Sequence, residues 1–219
     1  MSALAGRRVV LATRNAHKLR ELRRILAAAD LGDADVVGAD AYPELPEVAE
    51  TGDSFEANAL LKARAMCDAT GELAIADDSG LAVDALCGMP GIFSARWSGD
   101  LVPPDQPAGR DAVNLRLVLA QLADVPDDLR GAAFVCAAAL VAPDGTELVA
   151  HGTVRGVITR SPRGGNGFGY DPIFELPERG VTTAELSDDE KDAISHRGRA
   201  LRTLVEQIKA RQAQWKEPA

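Results

Sequence analysis

Residues 7–13, Arg-Arg-Val-Val-Leu-Ala-Thr, form a short apolar run rich in β-branched residues, the pattern of a buried strand. Apolar positions then recur at helical spacing, at Leu19, Leu22 and Leu26 with Ile25 beside them. A helix is therefore expected, with Asn15 placed to cap it. Residues 34–38 read as a second strand, which leads into a proline-containing loop at 43–46. Asp53 and Glu56 have capping-box spacing and predict a helix running to Thr70 and ending at Gly71. Leu73-Ala74-Ile75-Ala76 is a compact apolar run, predicted to be a central strand that stops at Asp77-Asp78-Ser79-Gly80.

A helix over 110–123 comes next, and then the pattern changes. Residues 131–142 and 146–159 are long apolar runs joined by Pro143-Asp144-Gly145, which predicts a hairpin. A glycine-rich stretch at 164–169 precedes a short strand near Ile173-Phe174. Ser187 and Glu190 form a second capping box, a helix over 196–212 closes the pattern, and the periodicity fades at 214–219. Strands alternating with helices, followed by a hairpin, predict an α/β architecture with a mixed sheet split into two lobes. No linker, internal repeat or low-complexity segment divides the 219 residues, so a single domain over 1–219 is expected.

Composition narrows the function classes. The chain is 46% hydrophobic and 26% charged, an ordinary globular balance. Its formal charge of −9 argues against a general nucleic-acid binder, which needs a basic face to displace phosphate counterions. Local basic clusters therefore carry more weight here. Cys67, Cys87 and Cys136 are odd in number and far apart, so buried thiols are expected rather than a disulfide framework or thiolate metal site. No apolar stretch reaches the roughly 18 residues of a membrane span. The opening segment runs into a strand without a leader's apolar middle, so a cytoplasmic protein is expected.

Four segments carry chemistry. Thr13-Arg14-Asn15-Ala16-His17-Lys18 sits where a strand passes into a helix, a natural phosphate cradle built from N–H groups and a lysine. An ordinary capped helix has the same spacing, and no P-loop pattern exists in the chain. Asp77-Asp78-Ser79-Gly80 puts two costly carboxylates at a strand end, a suitable place for Mg²⁺ or for catalysis. Because strand side chains alternate, only one of the pair should face a given cleft. Glu50, ahead of a helix, can supply a second metal-facing carboxylate, although such a glutamate usually just complements the helix dipole.

The third segment is Gly164-Gly165-Asn166-Gly167-Phe168-Gly169-Tyr170-Asp171-Pro172. Its glycines permit close backbone approach to a ligand, its rings can stack on a nucleobase if exposed, and Asp171 can accept from base or ribose. The dinucleotide fingerprint is not met, because the spacing fails and a strand follows. Lys191-Asp192-Ala193-Ile194-Ser195-His196-Arg197-Gly198 is the fourth, where Arg197 can fork onto a phosphate or a purine carbonyl and His196 can donate to an oxygen. His151, inside an expected strand with no partner in view, reads as structural.

Together these segments resemble the inosine triphosphate pyrophosphatase family, the XTP/dITP diphosphatases. The match keeps the family's order from Val9 to Leu204. It takes in Thr13-Arg14-Asn15 with Lys18, Glu50-Thr51-Gly52, Asn58-Ala59, Lys62-Ala63-Arg64 and Ala76-Asp77-Asp78-Ser79-Gly80-Leu81. It continues through Gly88-Met89-Pro90-Gly91, Ser94-Ala95-Arg96, Gly167-Phe168-Gly169-Tyr170-Asp171-Pro172 and Ser195-His196-Arg197-Gly198. Asn166 stands where relatives often have glycine, and Pro103-Pro104 with Pro107 look like a local insertion.

The resemblance implies a long mixed β-sheet flanked by helices, two lobes with a nucleotide cleft between them, and a homodimer. It implies Mg²⁺-dependent hydrolysis of deaminated purine nucleoside triphosphates (dITP/ITP, XTP/dXTP) to the monophosphate and pyrophosphate. Asp78 matches the proton acceptor and a metal ligand, and Glu50 the second metal ligand; spacing alone does not separate Asp77 from Asp78. Thr13, Arg14, Asn15, Ala16, His17 and Lys18 match the triphosphate loop. Ser79, Phe168, Gly169, Tyr170, Asp171, Lys191, His196 and Arg197 match substrate-binding positions. The purine-reading residues weigh against a pyrophosphatase for other modified nucleotides. Asp78, Glu50 and Lys18 weigh against a non-catalytic nucleotide sensor.

Overall fold

The computed structural model describes residues 4, 6–14, 16–29, 31, 33–102 and 109–211. The expected cap Asn15, the prolines at 103, 104 and 107, and the fading segment 214–219 lie outside the described residues. So do the side chains of Ala16 and His17. Among the described residues, seven strands form one mixed sheet in the order β2-β1-β3-β4-β5-β6-β7. They are β1 (Arg8–Leu11), β2 (Asp35–Gly38), β3 (Leu73–Val83), β4 (Gly131–Val141), β5 (Glu147–Ile158), β6 (Phe174–Leu176) and β7 (Val181–Thr182). The helices are α1 (Ala16–Ala28), α2 (Phe55–Thr70), α3 (Arg110–Gln121), α4 (Asp188–Ile194) and α5 (His196–Arg211). The expected α/β class with a mixed, helix-flanked sheet is what the chain adopts. Among the described residues, no helix is long and apolar enough to cross a membrane.

The chain divides into two compact units, and it passes from one to the other within β3, β4 and β5 and again at the first residue of α5. The first comprises residues up to 78, residues 136–152 and residues from 197 onward. Its β1 pairs in parallel with both β2 and β3, Val9 opposite Val36 and Leu73. Strand alternation sorts its core into two layers. Val9, Leu11, Leu73 and Ile75 pack with Leu22 and Leu26 of α1 and with Leu201, Leu204 and Ile208 of α5. Val10, Ala74 and Ala76 turn the other way and pack with Ala59, Ala63 and Met66 of α2. The run of alanines in β4, including Ala137 and Ala139 on that second face, lets α2 lie close to the sheet.

The second unit holds residues 79–135 and 153–196. Leu81, Val83, Leu115, Val118, Phe134, Ile158, Ile173 and Phe174 are at the centre of its core. Strands β5, β6 and β7 are antiparallel there, with Ile158 opposite Phe174 and Glu175 opposite Thr182. The buried Arg130 guanidinium donates to the carbonyls of Ile158, Leu122 and Thr159 at 2.8, 2.6 and 2.9 Å. It thereby ties the end of α3 to the end of β5 without any carboxylate partner in those bonds.

Three expectations need correction. Helix α2 is capped by Ser54, whose hydroxyl accepts from the Ala57 N–H at 3.2 Å, and not by Asp53. Its C-terminal Gly71 is left-handed, as expected. Strand β3 does not stop at Asp77 but continues through Asp77-Asp78-Ser79-Gly80 to Val83. His151 has a partner, Glu56, at 3.1 Å. The Ser187–Glu190 capping box forms as expected, at the head of α4.

Gly80 explains how the second unit accepts β3. The Ser94 hydroxyl accepts from the Leu81 N–H at 2.9 Å and donates to the Gly91 carbonyl at 2.6 Å, directly over Gly80. A Cβ at Gly80 would sit 2.3 Å from Ser94 Oγ and 2.5 Å from Gly91 O. Gly80→Ala should therefore cost about 2 kcal/mol through overpacking. Thermal unfolding should show a fall in Tm of roughly 4–8 °C; an unchanged Tm would contradict this packing.

Candidate active site

The first unit gathers charge around the end of its part of β3. Successive residues of a strand face opposite ways, and Asp77 and Asp78 meet different helices. Asp77, 5% exposed, accepts from the Lys18 ammonium of α1 at 3.0 and 2.8 Å and from Arg197 Nε of α5 at 3.0 Å. Arg197 also lies 3.7 Å from the Glu21 carboxylate. Burial alone would push Asp77 toward its neutral form, but Lys18 and Arg197 outweigh it and hold its pKa well below the usual carboxylate range. Burial likewise opposes the charge of Arg197, and Asp77 and Glu21 reverse that.

Asp78 turns toward α2. Asn58 Nδ2 donates to it at 3.2 Å and Lys62 Nζ at 3.1 Å. The same Lys62 ammonium donates to Glu50 at 3.1 Å, so a single cation joins two carboxylates. The fully buried Asn58 also accepts from the Gly52 N–H at 2.8 Å, fixing the Glu50-Thr51-Gly52 segment to the helix. A Cβ at Gly52 would lie 2.7 Å from that Asn58 oxygen. Burial raises the pKa of Asp78; Lys62 opposes the rise and Glu50 adds to it. Asn58 and Lys62 receive no individual role from the sequence, although they lie in the segments that carry the family resemblance. The available signal is their spacing, because residues four apart on a helix share one face.

A cavity of about 270 Å³ opens here, lined by Thr13, Arg14, Lys18, Glu50, Lys62 and Asp77 among others. Arg14 donates to the Leu45 carbonyl at 2.8 Å and so holds the proline-containing loop at the cavity wall. Among the described residues no group of three or more His, Cys, Asp or Glu is arranged to hold a metal. Two carboxylates are nevertheless enough for Mg²⁺, which keeps several waters and takes its remaining ligands from substrate phosphates. The way Glu50 and Asp78 already share one cation fits such a donor pair.

The second unit carries the glycine-rich loop. Gly167 is left-handed (φ 75°), and a Cβ there would sit 2.2 Å from Asp171 Oδ2, so the glycine is sterically required. Asp171 is 3% exposed. Its carboxylate accepts from the Phe168 N–H at 2.8 Å, from Thr183 Oγ1 at 2.8 Å and from Lys191. These bonds make Asp171 the internal brace of the loop. Tyr170 is buried and donates to the Ser94 carbonyl at 2.8 Å, so its ring is not available for stacking. Phe168 remains 57% exposed, with the Lys191 ammonium 5.0 Å from its ring centroid. Gly169 donates its N–H to Asp111 at 3.0 Å. The His196 ring stacks on Phe134, centroids 5.0 Å apart. Ser79 is half-buried on β3, directly after Asp78.

The sequence model of the Ham1 family matches residues 9–207. The chain belongs to the Ham1 family. A relative from Streptomyces avermitilis, named dITP/XTP pyrophosphatase, is 58% identical over 198 residues, covering 90% of this chain and 95% of that one. The crystal structure of a nucleoside-triphosphatase / dITP/XTP pyrophosphatase from Mycobacterium abscessus is 53% identical, with a TM-score of 0.74 over 90% of this chain and 98% of that one. A HAM1 protein structure from Coxiella burnetii gives a TM-score of 0.82 at 40% identity, covering 93% and 98%. The resemblance and the expected mixed, helix-flanked sheet are both borne out.

Lys62 is a cation that Glu50 and Asp78 share, and its loss has a calculable sign. Lys62→Met leaves two facing carboxylates and should cost about 3 kcal/mol of stability near neutral pH. A carboxyl group with a raised folded pKa stabilises the fold at low pH and loses that contribution as pH rises through the folded value. The deficit of Lys62→Met should therefore shrink as the pH is lowered into the carboxylate range. Urea unfolding of both proteins across pH measures it, and a deficit that grew on acidification would contradict the arrangement.

Proposed function

We propose that this Ham1-family protein hydrolyses deaminated purine nucleoside triphosphates, of the dITP/ITP and XTP/dXTP kind, to the nucleoside monophosphate and pyrophosphate. The observation that carries this reading is the pair Glu50 and Asp78 sharing the Lys62 ammonium beside a cavity lined by Lys18, Arg14 and Thr13. In this reading Glu50 and Asp78 hold Mg²⁺. Bound there, the metal would neutralise phosphate charge and assist departure of pyrophosphate. Asp78, whose proton affinity is raised by burial, accepts the proton of the attacking water. The water oxygen then bonds to the α-phosphorus in line with the departing pyrophosphate oxygen.

The cradle from Thr13 through Arg14, Asn15, Ala16 and His17 to Lys18 takes the triphosphate, with its N–H groups at the head of α1 facing negative charge. Ser79, Phe168, Gly169, Tyr170, Asp171, Lys191, His196 and Arg197 serve the nucleoside. Phe168 is the exposed ring available for stacking, while Asp171 and Tyr170 act by holding the loop. Donors such as Arg197 and His196 favour an oxygen at purine position 6 and leave an adenine amino group unpaired. The two units are read as two lobes of a single ITPase-like domain over 1–219. A cytoplasmic homodimer follows from the same family reading.

Incubation with dITP, XTP, dATP and dGTP in ¹⁸O-water, with and without Mg²⁺, tests the proposal. Metal-dependent release of pyrophosphate from dITP and XTP, with the label in the monophosphate, is expected. Orthophosphate release would mean a different phosphatase chemistry, and tight binding without release would mean a sensor. Asp78→Asn should lower turnover roughly 10²–10⁴-fold while dITP still binds; full activity would remove Asp78 from its role.

A further inference from the structure

Asp77 has no task of its own in the reaction proposed above, yet it joins Lys18 and Arg197 in a buried charge cluster of the first unit. The Asp77 side chain is 3% exposed, Arg197 11% and Lys18 21%. Asp77 Oδ1 accepts from Lys18, and Oδ2 accepts from both Lys18 and Arg197. Two cations donate three bonds to Asp77, so a proton from water or a metal ion would have to displace them. Its neighbour Asp78 instead shares its cation with Glu50. Lys18 lines the cavity together with Asp77, which holds its ammonium.

A lysine ammonium on a four-carbon stem is a mobile charge unless something fixes it. Lys18 and Arg197 come from different helices, α1 and α5, and like charges brought together need an anion between them. One carboxylate from β3 meets both requirements at once.

We propose that Asp77 is a positioning residue, which fixes the Lys18 ammonium at the cavity wall and anchors it to Arg197 so that the triphosphate meets a preset cation. This rests on the pyrophosphatase reading, and it separates the two adjacent aspartates by task. Asp78 works on water and metal, whereas Asp77 works only through Lys18 and Arg197. Its effect should therefore vanish when Lys18 is absent.

A double-mutant cycle with Asp77→Asn and Lys18→Met tests this, with dITP as substrate and folding checked by circular dichroism. Asp77→Asn alone should lower kcat/KM roughly 10²-fold, the scale of a misplaced positioning group. On the Lys18→Met background the same change should alter kcat/KM by no more than about twofold, because the two residues form one interacting unit. Metal-free calorimetry should follow suit: Asp77→Asn weakens dITP binding in the parent protein but not in Lys18→Met. The Mg²⁺ concentration for half-maximal rate should be unchanged. Asp77→Glu replaces the asparagine variant in the cycle should that variant not fold.

Losses that multiply, a wild-type Asp77→Asn, or a large rise in the Mg²⁺ requirement would each overturn the proposal. Asp78→Asn serves as the separate control. Full activity in that variant would remove the reading on which the proposal rests, whatever Asp77 does.

Discussion

Burying an ionised carboxylate in the middle of a sheet is so costly that the surroundings must supply cations, and in this protein β3 buries two in succession. The pleat sends them to opposite faces. Asp77 therefore draws Lys18 from α1 and Arg197 from α5, while Asp78 draws Lys62 and Asn58 from α2. Each helix that flanks the first unit's sheet thus carries a side chain committed to one of these two carboxylates. The same alternation sorts the apolar core, with Leu73 and Ile75 on the Asp77 face and Ala74 and Ala76 on the Asp78 face. Core packing and site electrostatics are set by a single register.

That register separates two adjacent residues of identical chemistry. On one face a carboxylate satisfied by Lys18 and Arg197 stays ionised and inert. On the other, a carboxylate shares its cation with Glu50, and burial raises its proton affinity. A proposed base needs the second environment, because a group held strongly in its ionised form is a poor proton acceptor. The glycine-rich loop of the second unit shows related economy. Asp171 braces it from within, so Phe168 is held exposed while Tyr170 is anchored inward.

Much of the fold is legible from hydrophobic period. The short strands β1 and β2, helix α1 and the β4–β5 hairpin follow apolar spacing and the Pro143-Asp144-Gly145 turn. Strand β3 is not legible in full, because Asp-Asp-Ser-Gly has the local chemistry of a turn and only distant cations make it a strand. The cap of α2 shifts by one residue because Ser54 competes with Asp53 for the same vacancy, and sequence does not rank them. At the site, Asp78, Glu50 and Lys18 stand out through the family resemblance. Lys62 and Asn58 acquire meaning only when α2 is laid against β3. The buried state of Tyr170 depends on the Ser94 carbonyl, 76 residues away in the chain.

The division between the two aspartates is the centre of this account, and their ionisation measures it directly. A carbon-13 NMR titration of the aspartate carboxyl groups in the metal-free protein, with Asp77→Asn and Asp78→Asn used for assignment, follows each one separately. The account predicts that Asp78 titrates above the ordinary aspartate value of about 3.9, while Asp77 is still ionised well below it. Two aspartates titrating together in the ordinary range would mean that the opposing faces do not impose different chemistry on them, and the account would fail.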